Sequence, residues 1–127
     1  MSTFVILEDE KQLQMYMAAI LQKGGFSSII FAKGEECLDY FNAIKDKNNL
    51  PLAMFIDLML SGIDGLSVIQ KIRTSALGLE VPIFIISSIS DQQVVLQGKR
   101  LNVTGYLVKP FKPQDFLNLL KKHQIIP

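Results

Sequence analysis

Three acids, a hydroxyl and an amine fall at the ends of four apolar runs in this chain. Phe4-Val-Ile-Leu7 leads into Glu8 and Asp9, the run Ala53 to Ile56 into Asp57, Ile83-Phe-Ile-Ile86 into Ser87, and the run Gly105 to Val108 into Lys109. Gathered in one place, these types suit chemistry on phosphate. Carboxylates supply the hard oxygen ligands that Mg2+ prefers, usually one or two of them beside phosphate oxygens and waters. A carboxylate can also attack phosphorus and carry it as an aspartyl phosphate. Transfer then needs positioning and charge neutralisation, for which a metal, an amine and a hydroxyl donor are sufficient parts. Without a cation or Lys109, three carboxylates so close would repel one another and raise each other's pKa. Taken singly, each residue also has a structural reading. Asp57 could be a loop residue or a helix cap, Glu8 and Asp9 could cap the first helix, Ser87 could satisfy a loop amide, and Lys109 could be a surface lysine.

The elements that must position these groups can be read from periodicity. An apolar run with no polar alternation predicts a strand buried on both faces. Strands are expected at 4–7, 28–32, the run into Asp57, 83–86 (with Pro82 at its start, where no interior ladder bond is lost) and 105–108. Between them, helical spacing links Leu13, Met17, Ile20 and Leu21, closed by Gly24-Gly25. A second helix opens at Gly34 and carries Cys37, Leu38, Phe41 and Ile44. A third carries Leu66, Val68, Ile69 and Ile72. The fourth is the weakest pattern. Asp91 could cap it, Val94, Val95 and Leu101 give an ambiguous face, Gly98 inside it costs roughly 1 kcal/mol against alanine, and Asn102 suits an αL terminator. Pro113 opens a fifth helix with Phe116, Leu117 and Leu120 inward, and Lys121-Lys122-His123 closes it, where positive charge complements the dipole. Residues 45–49 are expected to be a solvated loop, and His123 a solvated end residue. Strand and helix alternate five times, which implies an α/β fold with a parallel sheet and helices on both faces. All five strands then present their carboxyl ends on one side, where ligand sites of open parallel sheets lie.

Composition narrows the classes. The 127 residues fit one domain, 1–127, and 49% hydrophobic content supports a real core. A formal charge of +1 gives no argument for nucleic acid, membrane surface or an acidic partner. No apolar run approaches the roughly 20 residues of a membrane span, and the first residues lack a basic n-region. The single cysteine, Cys37, allows no intramolecular disulfide and reads as a small core residue. These features predict a reducing, cytoplasmic setting.

Leu7-Glu-Asp-Glu10, Asp57-Leu-Met-Leu-Ser-Gly-Ile-Asp-Gly65, Pro82-Ile-Phe-Ile-Ile-Ser-Ser88 and Gly105-Tyr-Leu-Val-Lys-Pro-Phe111 together resemble the receiver domain of two-component response regulators, over essentially the whole chain. The resemblance implies a flavodoxin-like (βα)5 sandwich with strand order 2-1-3-4-5, the order for which a chemotaxis receiver is the standing example. It implies Asp57 as phosphoacceptor, with Glu8, Asp9, Asp57 and the Met59 carbonyl as Mg2+ ligands. Ser87 would bind the phosphoryl group, Lys109 would be its counter-ion, and Tyr106 would be the aromatic switch. The Lys109-Pro110 bond is often cis in this family. Implied partners are a sensor histidine kinase or histidine phosphotransfer protein and a downstream protein target on the face of the fourth helix, fifth strand and fifth helix. A phosphorylation-linked homodimer is a further mode. Neither direct nucleic-acid binding nor membrane binding is implied.

The chain also departs from the pattern. Ser61 stands where proline is usual, so the loop loses a rigid residue. Glu8 replaces the commoner aspartate, Ser87 replaces threonine, and Ser88 stays small. Met59 and Ile89, two residues beyond acceptor and hydroxyl, are apolar and cannot orient water, which predicts slow self-dephosphorylation. The leading reading is a phosphorylation-dependent switch that catalyses only its own phosphorylation and dephosphorylation. One alternative is the amino-terminal receiver of a longer regulator such as a transcription factor. Another is an aspartyl-phosphate phosphatase of the haloacid-dehalogenase type, whose usual second aspartate would fall at Met59. A third is a phosphorylation-independent scaffold.

Overall fold

The computed structural model describes residues 3–60, 62–88 and 92–127. Ser61, Ile89 and Asp91, on which three of the expectations above fall, lie outside the described residues. Strands β1 (Thr3–Leu7), β3 (Met54–Asp57) and β4 (Ile83–Ser87) bury nearly every residue, as continuous apolar runs covered on both faces require. They are flanked by β2 (Ser27–Phe31) and β5 (Gly105–Val108). Every neighbouring pair is parallel and the order is β2-β1-β3-β4-β5. The helices are α1 (Lys11–Lys23), α2 (Gly34–Asn42), α3 (Gly65–Arg73), α4 (Gln92–Arg100) and α5 (Pro113–Lys122). This is the flavodoxin-like arrangement expected.

Because successive strand residues point to opposite faces, each apolar run feeds two cores. Phe4, Ile6, Phe55, Phe84, Ile86 and Leu107 meet α1 and α5 on one face. Val5, Leu7, Met54, Ile56, Ile83 and Ile85 meet α2 and α3 on the other. The first core is ring-rich. Phe55 stacks on Phe84 at 5.1 Å and takes Phe116 edge-on at 4.7 Å. Cys37 is buried in the second core, and burial pushes its thiol up to about 12, so it is the inert packing residue anticipated.

Several local expectations need correction. β2 runs one residue earlier than expected and is an exposed edge, with Ile29 and Ile30 partly in solvent. Residues 45–49 are exposed as expected, but within them lies a 3-10 turn, Lys47–Asn49, started by the Asp46 side chain accepting the Asn48 N–H at 2.9 Å. His123 is not a solvated end residue. It is half-buried, with its ring edge-on to Phe84 at 5.5 Å. Gln124 then takes a positive φ of 60° and turns Ile126 back into the α1–α5 core.

α4 is the loosest element. Of its nine residues only Gly98 is buried. That glycine, which a helix would otherwise disfavour, has a packing reason. A Cβ there would stand 2.2 Å from the Tyr106 hydroxyl oxygen and 2.9 Å from a methyl of Val103. The Tyr106 hydroxyl lies over this notch and donates to the Val95 carbonyl at 2.9 Å. The far end of α4 is held differently. Arg73, at the end of α3, donates to the carbonyls of Leu101 (2.9 Å), Asn102 (2.8 Å) and Val81 (2.7 Å), and also to that of Gly78. Asn102 has the αL conformation expected of it, φ 56°.

Alanine normally exceeds glycine in a helix by roughly 1 kcal/mol. Gly98→Ala should give no such gain here, because the new methyl displaces Tyr106. In a Tyr106→Ala background the same change should recover part of the gain, with the Val103 methyl still opposing it. Urea unfolding of the four proteins measures this coupling, and equal effects in both backgrounds would remove the packing role.

Candidate functional site

Asp57 is the last residue of β3 and is 2% exposed. Its reading as a cap does not hold, since α3 is capped by Asp64, whose side chain accepts the Ser67 N–H at 2.9 Å. Gly65 lets α3 start directly beneath the strand end, where a Cβ would lie 2.2 Å from the Asp57 carbonyl oxygen. Glu8 and Asp9 do not cap α1 either. Its N-cap is Glu10, which makes no side-chain cap bond.

The carboxyl ends of β1, β3, β4 and β5 bring the expected residues together. Asp57 Oδ2 accepts from Lys109 Nζ at 2.8 Å, and Asp57 Oδ1 accepts from the Met59 N–H at 3.0 Å. Lys109 Nζ also stands 3.3 Å from Glu8 Oε1, while Glu8 Oε2 accepts the Glu10 N–H at 2.9 Å. One carboxylate oxygen each from Glu8, Asp9 and Asp57 lie within 4.8 Å of one another. Ser87 ends β4, is buried, and accepts the Lys109 N–H on its carbonyl at 2.8 Å. The Lys109-Pro110 bond is cis. The Met59 side chain is exposed and apolar.

Two opposing effects set the electrostatics. Burial raises the Glu8 carboxyl, and the neighbouring Asp57 carboxylate raises it further. The Glu10 N–H and the Lys109 charge lower it, and the outcome is about 7 against an ordinary 4.5. For Lys109, burial works downward, but its hydrogen bond to Asp57 and the charges of both acids outweigh it, and the ammonium is held above its usual value. One ammonium therefore does not balance the acids around it. Glu8 Oε1 is buried without a hydrogen bond, in an all-oxygen cluster of the kind that suits a small hard cation.

Some supports were not anticipated. The Gln14 side chain, from α1, donates to the Glu8 carbonyl and fixes the acid turn. The Glu10 and Met59 amides hold one oxygen each of Glu8 and Asp57. Backbone donors carry no sequence signal, and a glutamine between apolar helix positions reads as solvent-facing. Gly65 alone was visible, as the glycine preceding a helical pattern.

With this geometry in place, comparison with known proteins is direct. Residues 4–121 match the response regulator receiver domain, and the chain belongs to that family. It is therefore a receiver domain of two-component signalling. A probable transcriptional regulator, ycf27, of Porphyridium aerugineum is 31% identical over 111 residues, covering 87% of this chain and 43% of that protein. The chemotaxis protein CheY4 of Vibrio cholerae superposes with a TM-score of 0.86 at 21% identity, covering 96% of this chain and 98% of that one. The receiver domain of the sensor histidine kinase PA1611 of Pseudomonas aeruginosa, a structure with magnesium coordinated in its active-site cleft, superposes with a TM-score of 0.82 at 22% identity, covering 97% and 98%. The chain spans about half the length of the curated relatives it matches. No helix among the described residues is long and apolar enough to cross a membrane.

The raised Glu8 value has a consequence for stability. Between about 4.5 and about 7 the folded state keeps a proton that the unfolded chain has released. Metal-free protein should therefore lose stability as the pH rises through that window. Glu8→Gln should flatten this part of the profile, as measured by chemical denaturation at stepped pH in chelator.

Proposed function

We propose that residues 1–127 act as one phosphoacceptor unit in which Asp57 takes a phosphoryl group from a histidine kinase or histidine phosphotransfer protein. The observation that carries this reading is the Lys109 ammonium bonded to Asp57 at 2.8 Å inside the cluster of Glu8, Asp9 and Asp57. Asp57 attacks phosphorus, an O–P bond forms as the N–P bond to the donor imidazole breaks, and the imidazole leaves with the electron pair. Glu8, Asp9, Asp57 and the Met59 carbonyl would hold Mg2+, which when bound neutralises charge on the phosphoryl oxygens. Lys109 passes from the Asp57 carboxylate to the phosphoryl oxygens, and the Ser87 hydroxyl donates to them.

The phosphoryl group adds charge and acceptor oxygens at one edge of the sheet, and its contacts bias a pre-existing equilibrium. Drawing Ser87 and Lys109 inward moves the segments after β4 and β5. Tyr106 follows, and its bond to the Val95 carbonyl is the one that must break. The α4–β5–α5 face then changes for a downstream protein. Met59 supplies neither acid nor base, which favours a switch over a phosphatase that turns over substrate. Output on DNA is not carried over from the transcriptional regulators among its relatives, which are about twice as long. We place the protein in the cytoplasm, where histidine kinases deliver phosphate.

Incubation with Mg2+ and a small acyl phosphate, followed by mass mapping, should place one phosphoryl group on Asp57. Asp57→Asn should abolish it, and an undiminished signal at another residue would overturn the assignment. The phosphorylated form should persist for minutes or longer, on the order of the slowness that an apolar Met59 implies in a mechanism needing an oriented water. A half-life of seconds in Mg2+ would reject that slowness.

A further inference from the structure

One end of the sheet is β2, which among the described residues has a single strand neighbour, β1. The Phe31 carbonyl accepts the Glu8 N–H at 3.0 Å, so Phe31 directs its peptide groups at β1. By alternation Ser27 and Ile29 do the same, and Ser28 and Ile30 turn theirs outward. Ile29 and Ile30 point to opposite faces of the sheet, yet they are 36% and 38% exposed. Neither flanking helix, α1 or α2, therefore closes over this edge.

Exposed strand edges are templates for pairing, and they are usually blunted by charge, proline, a bulge or brevity. The opposite edge shows such devices, since β5 has four residues and runs into Lys109 and Pro110. β2 lacks them. Residues 24–32 carry no charge and no proline, and Ser27–Phe31 pairs with β1 over its whole length without a bulge. Its centre is the β-branched pair Ile29-Ile30, which suits a strand between two neighbours.

The edge is complementary to its own copy. In an antiparallel pair about a two-fold axis at Ile29, Ser28 of each chain faces Ile30 of the other, and such pairs exchange both main-chain hydrogen bonds. Ile29 meets Ile29 across the axis, on the face of α2 and α3, where its β1 partner Val5 is packed. On the α1 face, Ser28 borders a hollow of about 510 Å3 lined by Ala18, Gln22, Gly25, Phe26, Ser27 and Ser28. Ile30 of the second copy, directly opposite Ser28, is placed to enter it. Charge agrees with this direction. Lys23 stands before the strand and Lys33, Glu35 and Glu36 after it, all exposed. Antiparallel pairing thus sets a basic flank against a net acidic one. Each chain offers one such edge, so pairing consumes both and closes as a dimer.

We propose that β2 is a self-association edge through which two copies of this chain join their sheets antiparallel, Ser28 against Ile30 and Ile29 against Ile29. The contact lies at the far end of the sheet from β5 and does not use phosphate at Asp57. A short strand pair alone falls below the roughly 1,000 Å2 of a lasting interface, so the exchange is reversible.

The test is sedimentation equilibrium of the intact, unphosphorylated chain between about 10 μM and 1 mM, where a reversible monomer–dimer equilibrium is expected. Ile30→Lys should weaken it roughly tenfold or more, because symmetry counts the substitution twice. Under mild oxidation Ile29→Cys should crosslink to itself, since the Cα atoms of such a pair stand about 4.5 Å apart. Ile30→Cys should not, being displaced along the strand from its own copy, and the buried Cys37 is out of reach. Exchange of the Ser28 and Ile30 amides of the unmodified chain should slow as it is concentrated, a measurement that stands even if a variant fails to fold. A chain that stays monomeric throughout, a dimer indifferent to Ile30→Lys, or crosslinking through Ile30→Cys in place of Ile29→Cys would overturn the proposal. Slowing of those amides only on adding a Thr-Val repeat peptide would assign the edge to a foreign strand and would overturn it too.

Discussion

The arrangement depends on a charge imbalance held at the end of a buried strand. A parallel sheet delivers three carboxylates to one edge, and two of them, Glu8 and Asp57, are almost wholly removed from water. Such a group is tolerable only with compensation. Lys109, just beyond the edge strand β5, supplies one positive charge, and two backbone N–H groups hold the remaining carboxylate oxygens of Asp57 and Glu8. The compensation is incomplete, as the upward displacement of Glu8 records. A site in this condition would be relieved by added positive charge. The same imbalance ties β5, at the edge, to β3, at the centre, through a side chain as well as through β4.

Much of this was legible because burial writes itself into sequence. The three central strands are uninterrupted apolar runs, and each ends where the chemistry begins. The strand order was not legible from the runs. It came with the resemblance to receivers, and the parallel ladders agree with it. β2 was placed a residue late because an exposed edge strand gives a weak pattern and little burial to pin its ends. His123 was misjudged for a related reason, and Ile126 was not placed in the core. Polar or terminal residues read as solvated, and only the αL turn at Gln124 brings that segment back onto the core. Gln14 and the two amides were invisible because a donor's partner is set by tertiary placement.

Gly98 shows how a local cost can be a tertiary instruction. Propensity alone marks it as a defect in α4. The structure places the Tyr106 hydroxyl where a side chain would have stood. A disfavoured residue in a helix is thus a place to ask what approaches the backbone, since local rules are broken where some other contact needs the room.

The two faces of the sheet differ in how much they can give. The α1–α5 face is locked by Phe4, Phe26, Phe55, Phe84, Phe111 and Phe116 in successive ring contacts. On the other face α4 buries a single glycine. Its far end is fastened by Arg73 through carbonyls that follow the helix, and the Tyr106–Val95 bond lies nearer its start. An element held firmly at one end and by one hydroxyl toward the other moves most easily about the firm end, because few buried contacts must be lost. The segment leading into that loose end begins at Ser87, beside the acids. A charge added at Asp57 would therefore act on the part of the molecule that costs least to displace.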